Sequence, residues 1–390
     1  MRVCVIYDCL FPYTVGGAER WYRNVAERLA AAGHEVTYLT LTQWEPGEEP
    51  GLAGVRVVAV GPRMGLYGPG GQRRIGPPVR FGLGVLGHLV RHGRDYDVVH
   101  TGSFPYFALL AAGLVARVAR YRLVVDWIEV WSAEYWREYL GPVAGAIGHG
   151  VQRACARVPQ EAFCFSRLHA GRLRGEGLRG PVTVLSGLYD GTSRPPAGPR
   201  AVDPVAVFAG RLIPEKRAGL AVAAMAAAAR RVPGLRGTIY GDGPERERVA
   251  GAVAATGGVV RLAGFVDPAE IDAALAGAMC MVLTSRREGY GMVVVEAAAR
   301  GTPSIVVAGP DNAAVELVAD GVNGVVVDRA EAAAVAEAIA RVHRAGPELR
   351  ASTAAWFEAH AASLSLAASL ERVLEVYAGA DRRGSPSTRA

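Results

Sequence analysis

Short apolar runs rich in Val, Ile, Leu and aromatic residues alternate along this chain with longer Ala-rich stretches of helical character. Repeated from end to end, that alternation is the pattern of parallel strands joined by helices that cover both faces of a sheet. It predicts strands at 2–7, 36–41, 55–60, 98–100, 123–126, 162–165 and 182–185. The rhythm then breaks at "SGLYDGTSRPPAGPRAVDP", residues 186–204, a stretch dense in Gly and Pro that reads as a linker. It resumes with strands at 205–208, 237–240, 259–262, 280–283, 304–307 and 324–327, and only helices follow Asp328. The fold class is therefore α/β, with two doubly wound, Rossmann-like domains at 1–185 and 204–362, a linker at 186–203, and a polar tail at 381–390 expected to be disordered. Ligands of such sheets bind at the carboxyl ends of the strands, so the cleft between the two domains is the expected site.

Composition fits this reading. With 390 residues, 51% hydrophobic and 21% charged, the chain is an ordinary globular protein large enough for two cores. No stretch has the ~18–20 uninterrupted apolar residues of a membrane span, and the opening Met-Arg-Val-Cys-Val-Ile-Tyr-Asp reads as a strand rather than a signal peptide. A cytoplasmic protein is expected. Cys4, Cys9, Cys155, Cys164 and Cys280 are odd in number and lack CxxC spacing, which indicates neither a disulfide framework nor a zinc site. The net charge of +6 is modest, and no nucleic-acid partner is expected. A cluster of Arg63, Arg73, Arg74, Arg80, Arg91 and Arg94 reads either as a solvated face or as a peripheral contact with an anionic partner or membrane surface.

Nearly all the positive charge is arginine, and the only lysine is Lys216. It falls in "FAGRLIPEKR", residues 208–217, directly after a predicted strand. There Gly210 permits a tight turn, Arg211 can fork around phosphate oxygens, and Lys216 adds a point charge. A charged surface loop is the alternative. The second strand of the same domain ends in "YGDGP", where Gly241 opens a turn and Pro244 suits a helix start. The strand at 280–283 leads into "RREGYGMVVVE", residues 286–296. Here Gly289, Tyr290, Gly291 and Met292 can turn backbone amides toward a phosphate at a helix N-terminus. Glu288 would project from the loop, while Glu296, about a turn into the helix, is placed to accept hydrogen bonds from a ribose diol. Carboxylates beside phosphate-binding loops describe a nucleotide-sugar donor.

These segments resemble the retaining family 4 glycosyltransferases of GT-B fold, whose second domain carries G-R-x4-K, G-x-G-P and E-x7-E elements in this order. "ARGTPSIV" and "DGVNGVVV" are similar to two further segments of that family, and the likeness extends over nearly the whole chain. The resemblance implies that Arg211 and Lys216 hold the donor pyrophosphate, that Glu288 meets the sugar and Glu296 the ribose, and that Gly16 and Gly17 form a glycine-rich loop facing the phosphates. It further implies that a last helix, at 363–380, crosses back onto the first domain, where an acceptor hydroxyl binds. Transfer would be retaining and metal-independent and would need no cofactor beyond the donor itself.

The sequence departs from the family at one position. The strand reads "LVVDWIEVW", and Ile128 stands where a V-x-H-D histidine is common, followed by Glu129. By that register Ile128 faces the donor sugar, and Asp126, Glu129 or His100 would take over the missing role; His100 is expected to point toward the cleft. Trp127, Trp131, Tyr135 and Trp136 read equally well as an acceptor pocket or as core. The rival functional readings are a catalytically impaired nucleotide-sugar-binding protein and an NAD-dependent oxidoreductase. The latter is disfavoured because the first strand is not followed by G-x-G-x-x-G.

Overall fold

The computed structural model describes residues 1–14, 16–48, 50–66, 74–191 and 202–384. Most of the expected linker, at 192–201, and the end of the expected tail, at 385–390, lie outside the described residues, as does Arg73. The chain forms two compact units, one of Met1–Ser186 joined by the chain from Ala367 onward, the other of Gly187–Leu366.

The first unit holds seven parallel strands: β1 (Arg2–Ile6), β2 (Glu35–Leu41), β3 (Val55–Gly61), β4 (Val98–Gly102), β5 (Arg122–Trp127), β6 (Glu161–Cys164) and β7 (Val182–Val184). Their order is β3-β2-β1-β4-β5-β6-β7, so the chain winds outward from β1 to one edge and then returns beside β1 to build the other. Helices Gly76–His92, Tyr106–Ala119 and Pro142–Ala156 cover one face, burying Phe81, Val85, Leu109, Val115 and Cys155 against Ile6, Leu39, Val99 and Val125. Fully burying a side chain of this size contributes about 1.5–3 kcal/mol. The last helix, Leu366–Gly384, belongs to this unit. It runs four residues into the stretch expected to be a tail, and Tyr377 is 0% exposed. Arg122 donates to the carbonyls of Val376 and Tyr377, both at 2.9 Å, and is paired with Glu161 at 2.5 Å.

The second unit holds β8 (Val205–Ala209), β9 (Arg236–Tyr240), β10 (Val260–Gly264), β11 (Cys280–Leu283), β13 (Ser304–Val307) and β15 (Gly324–Val327) in the order β10-β9-β8-β11-β13-β15. Two further strands, β12 (Arg287–Glu288) and β14 (Asp311–Asn312), form a separate two-stranded ladder. At two residues each they are too short to leave a periodicity in the sequence. The order reverses between β8 and β11, which are hydrogen-bonded neighbours with Cys280 opposite Ala206. In a doubly wound sheet, the loops leaving such a pair open a crevice at the carboxyl edge. All five cysteines are free and buried, and burial pushes the Cys164 and Cys280 thiols up to about 12.

Candidate functional site

The switch point of the second unit brings together the loops that follow β8 and β11. Gly210, Arg211 and Lys216 are on the first loop, with Lys216 closing a single 3-10 turn, Pro214–Lys216. Thr284, Ser285 and Glu288 are on the second. The two loops are tied: the Thr284 hydroxyl donates to the carbonyls of Lys216 and Arg217, both at 3.0 Å, and Arg286 N–H donates to Glu215 O at 2.8 Å. Arg217 takes a left-handed conformation, φ 49°, to turn the chain into the following helix. As a result Lys216 Nζ lies 2.5 Å from Glu288 Oε1, an oxygen that also accepts from Ser285 Oγ at 2.6 Å. The Glu288 side chain is 10% exposed and that of Lys216 20%. Arg211 is exposed and makes no ion pair among the described residues.

The turn after β9 presses against this loop. Gly241 has φ 132°, and a Cβ there would stand 1.9 Å from Gly210 O, so only glycine fits. The backbones interlock through Gly210 N–H to Tyr240 O at 3.1 Å and Leu212 N–H to Asp242 O at 2.9 Å. Gly289, Tyr290 and Gly291 lead into the helix Met292–Ala298, capped by Gly291 at φ 108°. With seven residues, this helix offers a short dipole. Tyr290 is buried, and burial raises its phenol pKa. Glu296 is half-buried on the same helix.

Asn312 was not foreseen. It is 3% exposed; its Nδ2 donates to Ser285 O at 3.1 Å and Val307 O at 2.8 Å, and its Oδ1 accepts from Ala314 N–H at 3.0 Å. It thereby holds β14 against the loop that carries Glu288. The Pro-Asp-Asn triplet after β13 was its only sequence signal, and a turn explains that equally well.

In the first unit the sequence-derived candidates disperse. Gly16 caps the helix Gly17–Ala31 with extended backbone, and Glu19 folds back so closely that a Cβ on Gly16 would meet its Oε2 at 2.3 Å. Gly17 has open space around its Cα. His100, expected to point toward the cleft, is 0% exposed. Its Nδ1 is 2.8 Å from Tyr377 Oη, and its Nε2 is 2.9 Å from Asp126 Oδ1, in ion-pair range though not aligned as a directed hydrogen bond. Asp126, 1% exposed, also accepts from Trp21 Nε1 at 2.7 Å. Strand alternation puts both residues on the face that the last helix covers. Ile128 and Glu129 are half-buried just past β5, and Glu129 accepts from Trp131 Nε1 at 2.9 Å. Of the two readings of the aromatic run, core prevails for three of its four residues, while Trp131 is half-buried. Trp127, Tyr135 and Trp136 are buried, Trp127 Nε1 donating to Gln160 and Trp136 Nε1 to Gln152.

A cavity of about 250 Å³ opens at the carboxyl end of β1 and β2, lined by Asp8, Tyr13, Thr14, Gln43 and Arg63 among others. A larger one, about 350 Å³, lies along β8–β10 beside the helix Pro268–Gly277, away from Lys216 and Glu288.

Known proteins match both halves of the chain. Residues 192–355 match the family described as glycosyl transferases group 1, and residues 16–187 match the glycosyl transferase 4-like domain. A glycogen synthase of Mycobacterium tuberculosis is 28% identical over 335 residues, covering 78% of this chain and 77% of its own. Among solved structures, sucrose-phosphate synthase from Thermosynechococcus elongatus superposes with a TM-score of 0.77 at 20% identity, covering 98% of this chain and 100% of the other. HepE of Anabaena, solved in complex with UDP-glucose, gives 0.71 at 16% identity, covering 97% and 100%. The fold is thus that of the GT-B glycosyltransferases.

Proposed function

Because the chain belongs to the group 1 glycosyltransferases, with both of their domain types present, we propose that it moves a sugar from a nucleoside-diphosphate sugar to an acceptor hydroxyl, with retention and without a metal ion. The reading rests on one observation above all: the chain's only lysine is held at the carboxyl edge of β8 and β11 by Glu288, with exposed Arg211 on the same loop. Negative charge grows on the departing diphosphate as the glycosidic bond breaks. Cations placed there stabilise the transition state more than the ground state, which raises kcat. The leaving phosphate itself takes the acceptor proton on the same face, so no separate base is required. Glu288 serves the donor sugar and Glu296 the ribose. That HepE is solved with UDP-glucose makes a uridine donor the first to test. The acceptor is assigned to the first unit, whose 250 Å³ cavity offers hydroxyl, amide and guanidinium partners.

The test begins with melting curves in UDP, GDP, ADP and dTDP. One of them should raise the midpoint, since a ligand at 100 times its Kd adds about 2.7 kcal/mol to the folded state. Sugar transfer is then followed by NMR at the anomeric carbon, with and without EDTA. An inverted product, or turnover lost on chelation, contradicts the mechanism. Ile128 favours a second reading, donor binding with impaired transfer; a nucleotide sugar that binds and is neither transferred nor hydrolysed decides for it.

A further inference from the structure

Of the fourteen large apolar side chains exposed among the described residues, twelve lie between Ile75 and Ile147, all in the first unit. They cluster on one layer. Helices Gly76–His92, Tyr106–Ala119 and Pro142–Ala156 pack side by side on one sheet face, the first two so closely that a Cβ on Gly82 would meet Phe107 Cβ at 2.5 Å. Each turns one apolar stripe inward to the core and a second outward: Leu83 and Val90 on the first, Leu114 and Val118 on the second, Val143 and Ile147 on the third, each 56–73% exposed. The spacings are those of a helix face. An exposed apolar surface of this extent marks an interaction site.

The charge around it is predominantly positive. The sequence contains no Asp or Glu between Glu49 and Asp95, between Asp97 and Asp126, or between Glu138 and Glu161. Arg80, Arg91, Arg94, Arg117 and Arg120 are exposed on or beside these helices, and none is in an ion pair with a described residue. The nearby acids among the described residues lie at the margins: Asp95 at 3.4 Å from His92, Glu134 and Glu138 on the neighbouring helix Ala133–Leu140, and Glu176, which pairs with His149 and Arg153 of the third helix.

We propose that this three-helix face docks on an anionic lipid bilayer, its outward Leu, Val and Ile side chains entering the headgroup boundary while the arginines hold lipid phosphates. Apolar burial and attraction to anionic headgroups add in such a contact. A second copy of the chain fits less well, because a two-fold contact would set arginine against arginine with acids only at the margins of the face. The inference goes beyond sugar transfer and does not depend on it.

Cosedimentation of the full chain with vesicles tests it. Binding is expected to phosphatidylcholine mixed with phosphatidylglycerol and not to phosphatidylcholine alone, and it should weaken with salt. Arg91→Gln and Arg117→Gln should each lower vesicle affinity roughly fivefold, about what one surface arginine contributes. Leu83→Ser with Leu114→Ser should lower it further, at an unchanged melting midpoint because both positions are exposed. Wild-type protein that stays in the supernatant with anionic vesicles at low salt overturns the proposal, as do arginine variants that bind like wild type. A lipid-free dimer that Leu114→Glu dissociates assigns the face to a second copy instead. None of these readouts needs turnover, so a failed transfer assay and a failed vesicle assay are told apart.

Discussion

Lys216 and Glu288 act as each other's counter-ions, and a diphosphate entering their loops must compete with a carboxylate for the lysine. Glu288→Gln removes that competitor and keeps the shape. It should tighten binding of the product nucleotide by about 1 kcal/mol, several-fold in Kd, while lowering kcat if the carboxylate steadies the reacting sugar. Calorimetry and initial rates separate the two effects, and weaker nucleotide binding would speak against the competition. Lys216→Ala acts the other way. It should cost roughly 1.5–3 kcal/mol of donor binding, and it leaves a nearly buried carboxylate with Ser285 as its one side-chain partner among the described residues, so some loss of thermal stability should accompany it. The double variant Lys216→Met with Glu288→Gln should recover the stability and not the turnover.

Among the elements, the two-residue ladder β12–β14 carries more of the site than its length suggests, because Asn312 fastens it with three buried hydrogen bonds. Asn312→Ala should cost about 2–3 kcal/mol in unfolding free energy and reduce kcat by loosening Glu288, and Asn312→Asp, which turns a carboxylate oxygen toward the Ser285 and Val307 carbonyls, should be no better. Denaturant midpoints and donor kinetics check both parts; a variant as stable and active as wild type would make the ladder incidental. The helix Gly76–His92 brings a pH dependence. His88 is partly buried with Nε2 2.8 Å from Tyr96 Oη; burial first, then His92 and Arg56, lower its pKa from 6.5 to about 4. The unfolded chain takes up this proton below about pH 6.5 and the folded one only near pH 4, so stability should fall across that window and be unaffected by this group above it. The full shift corresponds to at most about 3 kcal/mol, and solvent around the ring reduces it. His88→Gln should flatten the midpoint-against-pH curve in that window alone.

For the molecule as a whole, the last helix belongs in space to the unit that the chain left about 180 residues earlier, from Gly187 to Leu366. Tyr377 closes over His100 and Asp126, and burial together with Asp126 raises its phenol pKa well above the ordinary value. Tyr377→Phe should destabilise the first unit by about 1–2 kcal/mol, seen as faster hydrogen exchange in β4 and β5, with the nucleotide-induced melting shift of the second unit intact. Equal acceleration in β8 and β11 would show that the two units unfold as one.

Taken alone, the sequence determined the thirteen longer strands to within about two residues, since apolar periodicity and the Gly and Pro punctuation are local signals. It also singled out Lys216, Glu288 and Gly241, each by a property read along the chain without the fold: a unique residue, a spacing, a turn. Only the tertiary structure decided that Lys216 and Glu288, 72 residues apart, touch, because that follows from β11 lying next to β8. It alone decided that His100 is core, because the helix that covers it arrives 277 residues later. Asn312 was invisible for the same reason: its partners come from two loops that only the fold brings to it. Periodicity says which residues share a face; what comes to lie against that face is settled by long-range packing, which leaves no periodic trace in the chain.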